Sequence, residues 1–408
     1  MSEFFDALET RSDSLRAKDL ATALPEQVAR AQSLAGNVDR LGGVDASSIT
    51  TIDALATLPI LRKSELLELQ RTDPPFGGLT VRKPADFDHV HQSPGPIYEP
   101  GMRGGDWWRF GRFLHAARIG LGDIVQNCFG YHLTPAGMMF ESGAEAVGAS
   151  TIPAGTGQTE LQVQAAAALG ATAYAGTPDY LLVLLEKSDE FDVKLDFTKA
   201  AVSGGALFPA LRDAYTARGI SCVQCYGTAD LGLIAYESGA MEGMIVEEGV
   251  IVEIVTPGTG DPVPEGDVGE VVVTSLNPDY PLIRFATGDL SAVLPGQSPC
   301  GRTNMRIKGW MGRADQTAKV KGMFVRPEQV ANLVARFDNV TRARVVVTRA
   351  GDMDAMCVRV EGNGVDAEAV AACARDVLKL GAEVEVVAPG ALPRDGVVIE
   401  DARDYSGE

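Results

Sequence analysis

The residues best suited to chemistry stand at the ends of apolar runs. SCVQCYGTADLG carries Tyr226, Gly227, Thr228 and Asp230 in close succession. An aromatic ring at a strand end can stack on a base, a glycine lets main chain approach it, and a hydroxyl with a carboxylate suits phosphate and magnesium contacts. A strand-end turn with a core tyrosine accounts for the same string. AAVSGGAL ends in Gly205, Ala206 and Leu207, where small residues admit either close contact with a ligand or tight strand-to-helix packing, and the residues alone do not choose. Farther along come Asp289, in ATGDL, and Arg313, in GRADQ.

Two glycine-rich stretches begin helices. In GTGQTELQVQAAAALG, Thr159 is placed to cap a helix while Gln162 reaches back to complete a capping box. In GTPDYLLVLLEK, Thr177 caps and Pro178 takes the first helical position, where a missing N–H is harmless. The loop before Thr159 can bring main-chain amides to a ligand at a helix N-terminus.

Residues 1 to about 75 read as helices with short connectors. From about 86 to 240, apolar runs such as IVQNCFGY, ATAYAG, AAVSGGA and ISCVQCYG alternate with amphipathic stretches, the pattern of a largely parallel sheet with ligand loops at its strand ends. Short alternating strands follow to about 295, then a small α+β segment. The expected architecture is α/β: a large N-terminal domain over 1–312 with mostly parallel sheets and a small antiparallel region, and a small C-terminal α+β lid domain over 313–408.

The formal charge of −19 excludes the basic footprint that nucleic acid requires. Within that acidic chain, residues 301–326 carry Arg302, Arg306, Lys308, Arg313, Lys319, Lys321 and Arg326 against the one acid Asp315, a local site for a small polyanion or a set of internal ion pairs. The N-terminus lacks a basic-then-apolar leader and no run of about 18 apolar residues occurs, so a cytoplasmic protein without a membrane partner is expected. Cys222 and Cys225 have CxxC spacing, but in a strand residues three apart point to opposite faces, and no second pair completes a zinc set. No zinc is expected.

Taken in order, YGTADLGLIAYES, PLIRFATGDLSAV and GRADQTAKVKGMFVRPEQV resemble the nucleotide-binding series of the adenylate-forming enzymes, and among them the phenylacetate-CoA ligase family. The likeness extends to FFDALETRS, LPILRKSEL, NCFGYHLTPAG and IPAGTGQTELQ. It implies an acyl- or aryl-CoA ligase that uses ATP or AMP with magnesium and takes coenzyme A as co-substrate. Gly205, Ala206, Leu207, Tyr226, Gly227 and Thr228 would then meet the nucleotide, Asp289 and Arg313 the ribose or phosphate, Asp230 the metal, and Asp315 the hinge of the lid. Phe129, Tyr131 and His132 would line an acyl pocket, or serve as core and scaffold. The partners implied are a small-molecule carboxylate or acyl-CoA, with a homodimer left open.

Two departures from the family pattern stand at opposite ends of the phosphate chemistry. The phosphate loop, in the family serine, serine, glycine, two threonines and glycine, then a proline two positions on, here reads Ser93, Pro94, Gly95, Pro96, Ile97 and Tyr98, with Pro100 retained. Two hydroxyls are gone, and two prolines offer no N–H. A hydrogen bond to a charged group contributes about 1.5–3 kcal/mol, so this degenerate loop, with Ser93 and Gly95 remaining, is expected to hold a polyphosphate poorly. The C-terminal lysine of the family is also missing, since no lysine follows Lys379. These losses favour three readings: a ligase with impaired adenylation; ATP-independent transfer, cyclisation, lysis or hydrolysis on a preformed thioester; or a non-catalytic sensor or partner subunit.

Overall fold

Alternation between small and large apolar side chains builds the main sheet. The computed structural model describes residues 2–314, 316–321, 323–350, 353–393 and 397–403. The chain divides into a larger unit, Met1–Val252 with Val272–Thr287 and Leu294–Trp310, and a smaller one, Glu253–Val271 with Gly288–Val293 and Met311–Glu408.

In the larger unit, helix α1 (Asp13–Gln32) is capped by the Ser12 hydroxyl, which accepts from the Leu15 N–H. Helix α2 (Lys63–Thr72) follows, then a hairpin of β1 (His89–Ser93) and β2 (Ile97–Gly101). Next come β3 (Ile124–Asn127), α3 (Ala136–Ala146), β4 (Ser150–Pro153), α4 (Thr159–Leu169), β5 (Ala173–Gly176), α5 (Pro178–Glu190), β6 (Lys199–Val202) and α6 (Pro209–Ala217). Strands β7 (Ser221–Thr228), β8 (Gly232–Tyr236), β9 (Met244–Val246) and β10 (Arg306–Ile307) continue the sheet. This part of a twelve-stranded sheet is ordered β10-β9-β8-β7-β6-β5-β3-β4. Pairings from β4 through β7 are parallel and those from β7 to β10 antiparallel.

Strands β5, β6 and β7 each feed two cores. Ala173, Ala175, Ala201, Val223 and Cys225 join Phe113, Phe129 and Phe140 on one face, while Tyr174, Ala200, Val202 and Cys222 join Leu181, Leu184 and Tyr215 on the other. The two cysteines of the CxxC string therefore lie in different cores, as the period of a strand requires.

The helix starts differ in part from expectation. Thr177 is the cap position and Pro178 the first helical residue of α5, but the hydroxyl accepts no capping bond. The capping box at Thr159 does not form. Gln158, at φ 51°, takes the cap position of α4, and the Gln162 amide donates to the Gly155 and Gly157 carbonyls at 2.9 and 2.7 Å. A left-handed entry turns Thr159 into the first helical residue, so Gln162 has no cap N–H to meet in the capping-box geometry.

The smaller unit contains a four-stranded sheet in which β11 (Val340–Ala350) and β12 (Met353–Gly362) pair antiparallel. Helix α7 (Ala367–Val377) is capped by the Asp366 carboxylate, and β13 (Glu383–Val387) and β14 (Ile399–Asp401) add parallel edges. Val345, Val347, Val358, Val360, Val370 and Leu378 fill its core. Observed and expected fold class agree: α/β, with parallel strands, antiparallel strands and a sheet-containing C-terminal segment.

Gly227 lies where the β7–β8 pairing shifts register. A Cβ there would stand 2.7 Å from the Gly232 carbonyl oxygen, which is main chain and cannot swing aside. A Gly227→Ala variant is expected to lose about 1–3 kcal/mol, read as a lower denaturation midpoint with unchanged m-value.

Candidate active site

The carboxyl ends of the parallel strands gather most of the candidate groups. Phe129 follows β3, Thr177 follows β5, Ser203–Leu207 follow β6, and Tyr226–Asp230 end β7. These ends meet: a Cβ on Gly204 would lie 3.7 Å from both Phe129 and Thr177, and one on Gly205 would lie 3.3 Å from Pro178. Gly205 and Ala206 are exposed, and Leu207 turns into the core. Tyr226 is buried. Thr228 bends the following turn by accepting from the Leu231 N–H at 3.2 Å.

Of the acyl-pocket candidates, Phe129 is buried and stacks on Phe140 with ring centroids 4.2 Å apart. Tyr131 accepts from the Asn127 amide at 2.8 Å. His132 is exposed. In the smaller unit, Asp289 and Arg313 form an isolated antiparallel bridge and an ion pair of 2.9 Å. Asp315 lies outside the described residues.

The basic run is not a single patch. Arg302 is buried and paired with Glu9, and Arg306 is buried against the carbonyls of Glu242, Pro295 and Gly296. Both serve internal packing, whereas Lys308, Lys319 and Lys321 are exposed.

The phosphate-loop segment is the turn of the β1–β2 hairpin. Its register pairs Ser93 with Ile97, His91 with Glu99 and His89 with Gly101, so Ser93, His91 and Glu99 share one face. The Ser93 hydroxyl donates to Glu99 Oε1. Glu99 is 1% exposed, and its Oε2 has no hydrogen-bond partner. Burial, followed by the charge of Asp230, pushes its carboxyl from an ordinary 4.5 up to about 8, against the opposing effects of Ser93 and Lys63.

Asp230 is buried, with the Lys63 ammonium 3.2 Å from Oδ2 and no hydrogen bond to either oxygen. The buried Tyr280 hydroxyl also has no partner. It lines, with Pro100 and Asp230, a void of about 10 Å³, room for about one water. Across the hairpin, burial and then His89 hold His91 down at about 4, so it is neutral at physiological pH.

Glu99, Lys63 and Tyr280 are not singled out by sequence. Glu99 stands between Tyr98 and the retained Pro100, and Lys63 within LPILRKSEL, but only the hairpin register and the approach of α2 to the β7 end make them one cluster. Among the described residues, no three His, Cys, Asp or Glu side chains converge as a metal-binding group. Likewise, no described helix is long and apolar enough to cross a membrane.

The chain is 30% identical over 336 residues to a phenylacetate-coenzyme A ligase of Thermus thermophilus, covering 78% of this chain and 74% of the relative. It belongs to the phenylacetate-CoA ligase family. A second family member, from Aromatoleum evansii, is 30% identical over 338 residues, with 79% and 75% covered. That of Escherichia coli is 28% identical over 340, with 78% and 75% covered. No family model matches the chain. Among solved structures, a 2-hydroxyisobutyryl-CoA ligase in complex with 2-HIB-AMP and CoA in the thioesterification state aligns with TM-score 0.71 and 25% identity over 99% of this chain and 93% of that one. These relatives are CoA ligases, and the chain is a ligase-like enzyme of their family.

The buried carboxyl gives the cluster a definite pH dependence. Because the folded-state value for Glu99 lies above the ordinary one, its stabilising contribution is complete below about 4.5 and is lost as pH rises through about 8. Glu99→Gln is therefore expected to melt a few degrees higher than the parent at pH 9. That gain should vanish near pH 4.5; a gain independent of pH would contradict the buried-carboxyl account.

Proposed function

We propose that this family member handles an aromatic or small carboxylic acid as a preformed CoA thioester or acyl-adenylate, and that its ATP-dependent adenylation is impaired. The observation that carries this reading is the hydrogen bond from Ser93 to buried Glu99. A triphosphate needs donors, and here the loop hydroxyl is committed to an acid while Pro94 and Pro96 have no N–H to give. Lys63, whose ammonium reaches this cluster, is engaged with Asp230. Any ionised fraction of Glu99 adds repulsion: like unit charges about 4 Å apart cost about 4 kcal/mol at an effective dielectric of 20.

Asp230 paired with Lys63 does not fit a resident magnesium ion, because the metal would have to displace an ammonium already in place. No step is assigned to a metal. The Asp289–Arg313 pair keeps the two groups that the family likeness assigns to ribose or phosphate, which supports retention of the adenosine end. ATP-independent chemistry on a thioester is the variant that the hairpin favours, since the same acid that hinders phosphate is positioned to accept a proton.

Thermal shift separates these outcomes. A ligand at 100 times its Kd adds about 2.7 kcal/mol to stability, a shift of a few degrees. Coenzyme A or phenylacetyl-CoA is expected to raise the melting temperature and MgATP to leave it unchanged; a clear response to MgATP would restore the ordinary ligase reading. Asp289→Ala is expected to weaken AMP binding tenfold or more by calorimetry, and an unchanged affinity would remove Asp289 from the ribose site.

A further inference from the structure

We propose that Ser93 is a nucleophile and Glu99 its general base, so that the hairpin of a degenerate phosphate loop carries out acyl transfer from a thioester through an acyl-serine. This inference rests on the reading that the chain accepts a preformed thioester, and it adds a site and a mechanism to that reading.

A serine becomes a nucleophile when a base within hydrogen-bond reach can take its proton, and the Ser93 hydroxyl already donates to Glu99 Oε1 from the facing strand. That hydroxyl bond orients the base toward the residue it serves. Ser93 is only half-buried, whereas Glu99 is 1% exposed. The hydroxyl is thus the accessible member of the pair and the carboxyl the sheltered one.

Chemistry follows from the setting. An ordinary carboxylate is a weak base toward an alcohol, and efficiency improves as the pKa of the base approaches the working pH. Four titratable or charged groups face Glu99: Asp230 from the turn after β7, Lys63 from the start of α2, Tyr280 from the segment before Phe285, and neutral His91 across the hairpin. Of these, Asp230 opposes ionisation of Glu99 and Lys63 favours it, on top of a larger effect of burial in the same sense as Asp230. Lys63 keeps the pair of acids from being wholly uncompensated.

The steps balance without a further reactant. Ser93 Oγ attacks the thioester carbonyl carbon as Glu99 Oε1 takes the hydroxyl proton. The C–S bond then breaks, and Glu99 returns the proton to the leaving thiolate, giving free thiol and an ester on Ser93. Water attacks that ester, delivers a proton to Glu99, and the C–O bond to Ser93 breaks as Oγ is reprotonated, releasing the carboxylic acid. An acceptor alcohol or amine in place of water completes a transfer.

The test uses a fluorophosphonate probe, which labels activated serines whatever the natural acyl group, followed by peptide mass spectrometry of the full chain. Labelling is expected at Ser93, with a rate that rises through about pH 8. It should be absent in Ser93→Ala and at least about 100-fold slower in Glu99→Gln. Failure to label Ser93, or a rate unchanged by Glu99→Gln, overturns the proposal; a flat pH profile in the unaltered protein does so without recourse to any variant. Acid-quenched incubation with phenylacetyl-CoA should leave the acyl group on the same peptide, and its appearance on another residue would also overturn it. Labelling of Ser93 without any thermal response to CoA thioesters would instead refute the thioester reading and leave the serine–glutamate pair intact.

Discussion

Parallel strands must send alternate side chains into two apolar cores, and that constraint places nearly everything else in the larger unit. Ala173, Ala175 and Ala201 face one core and Tyr174, Ala200 and Val202 the other, leaving no room within the strands for ligand chemistry. The chain becomes available only where it leaves the sheet. Loops at the carboxyl ends of β3, β5, β6 and β7 consequently crowd together, and Gly204 takes the left-handed conformation, φ 71°, that the β6 loop needs beside Phe129 and Thr177.

Against that frame the hairpin is an electrostatic compromise. Two acids, Glu99 and Asp230, are buried near one lysine whose ammonium sits beside only one of them. Desolvating a charge is costly unless a partner compensates it, and neutralising one acid by protonation is the least expensive arrangement. The fold thereby holds a proton at a position where the family likeness leads one to expect groups that attract phosphate.

Much of this was legible in the sequence. Alternating apolar and amphipathic runs disclosed the α/β class, and the three motif strings disclosed the family. Helix entry at Thr159 was misread because Gln158 adopts a left-handed conformation that no residue type announces, and Gln162 consequently bonds to the loop instead of to a cap. The acidic cluster was illegible for another reason: Lys63, Glu99, Asp230 and Tyr280 come from four segments distant in sequence. Only the register of a short hairpin shows that Ser93 and Glu99 share a face. The isolated role of each basic residue between 301 and 326 was likewise a matter of burial, which charge counting does not contain.

The Gln162 side chain has a consequence for affinity. Its amide nitrogen donates to Gly155 and Gly157 while its oxygen accepts from Gln126 at 3.0 Å and from the Cys128 thiol at 3.1 Å. With two donors and two acceptor positions all engaged, the amide has one orientation, and it fixes a loop whose Gly155, Gly157 and Gln158 all have positive φ. Glycine loops ordinarily surrender much conformational freedom when a ligand settles on them. Here the surrender happens during folding, so a molecule reaching that main chain meets a preorganised surface and binds without bearing the entropy of ordering it.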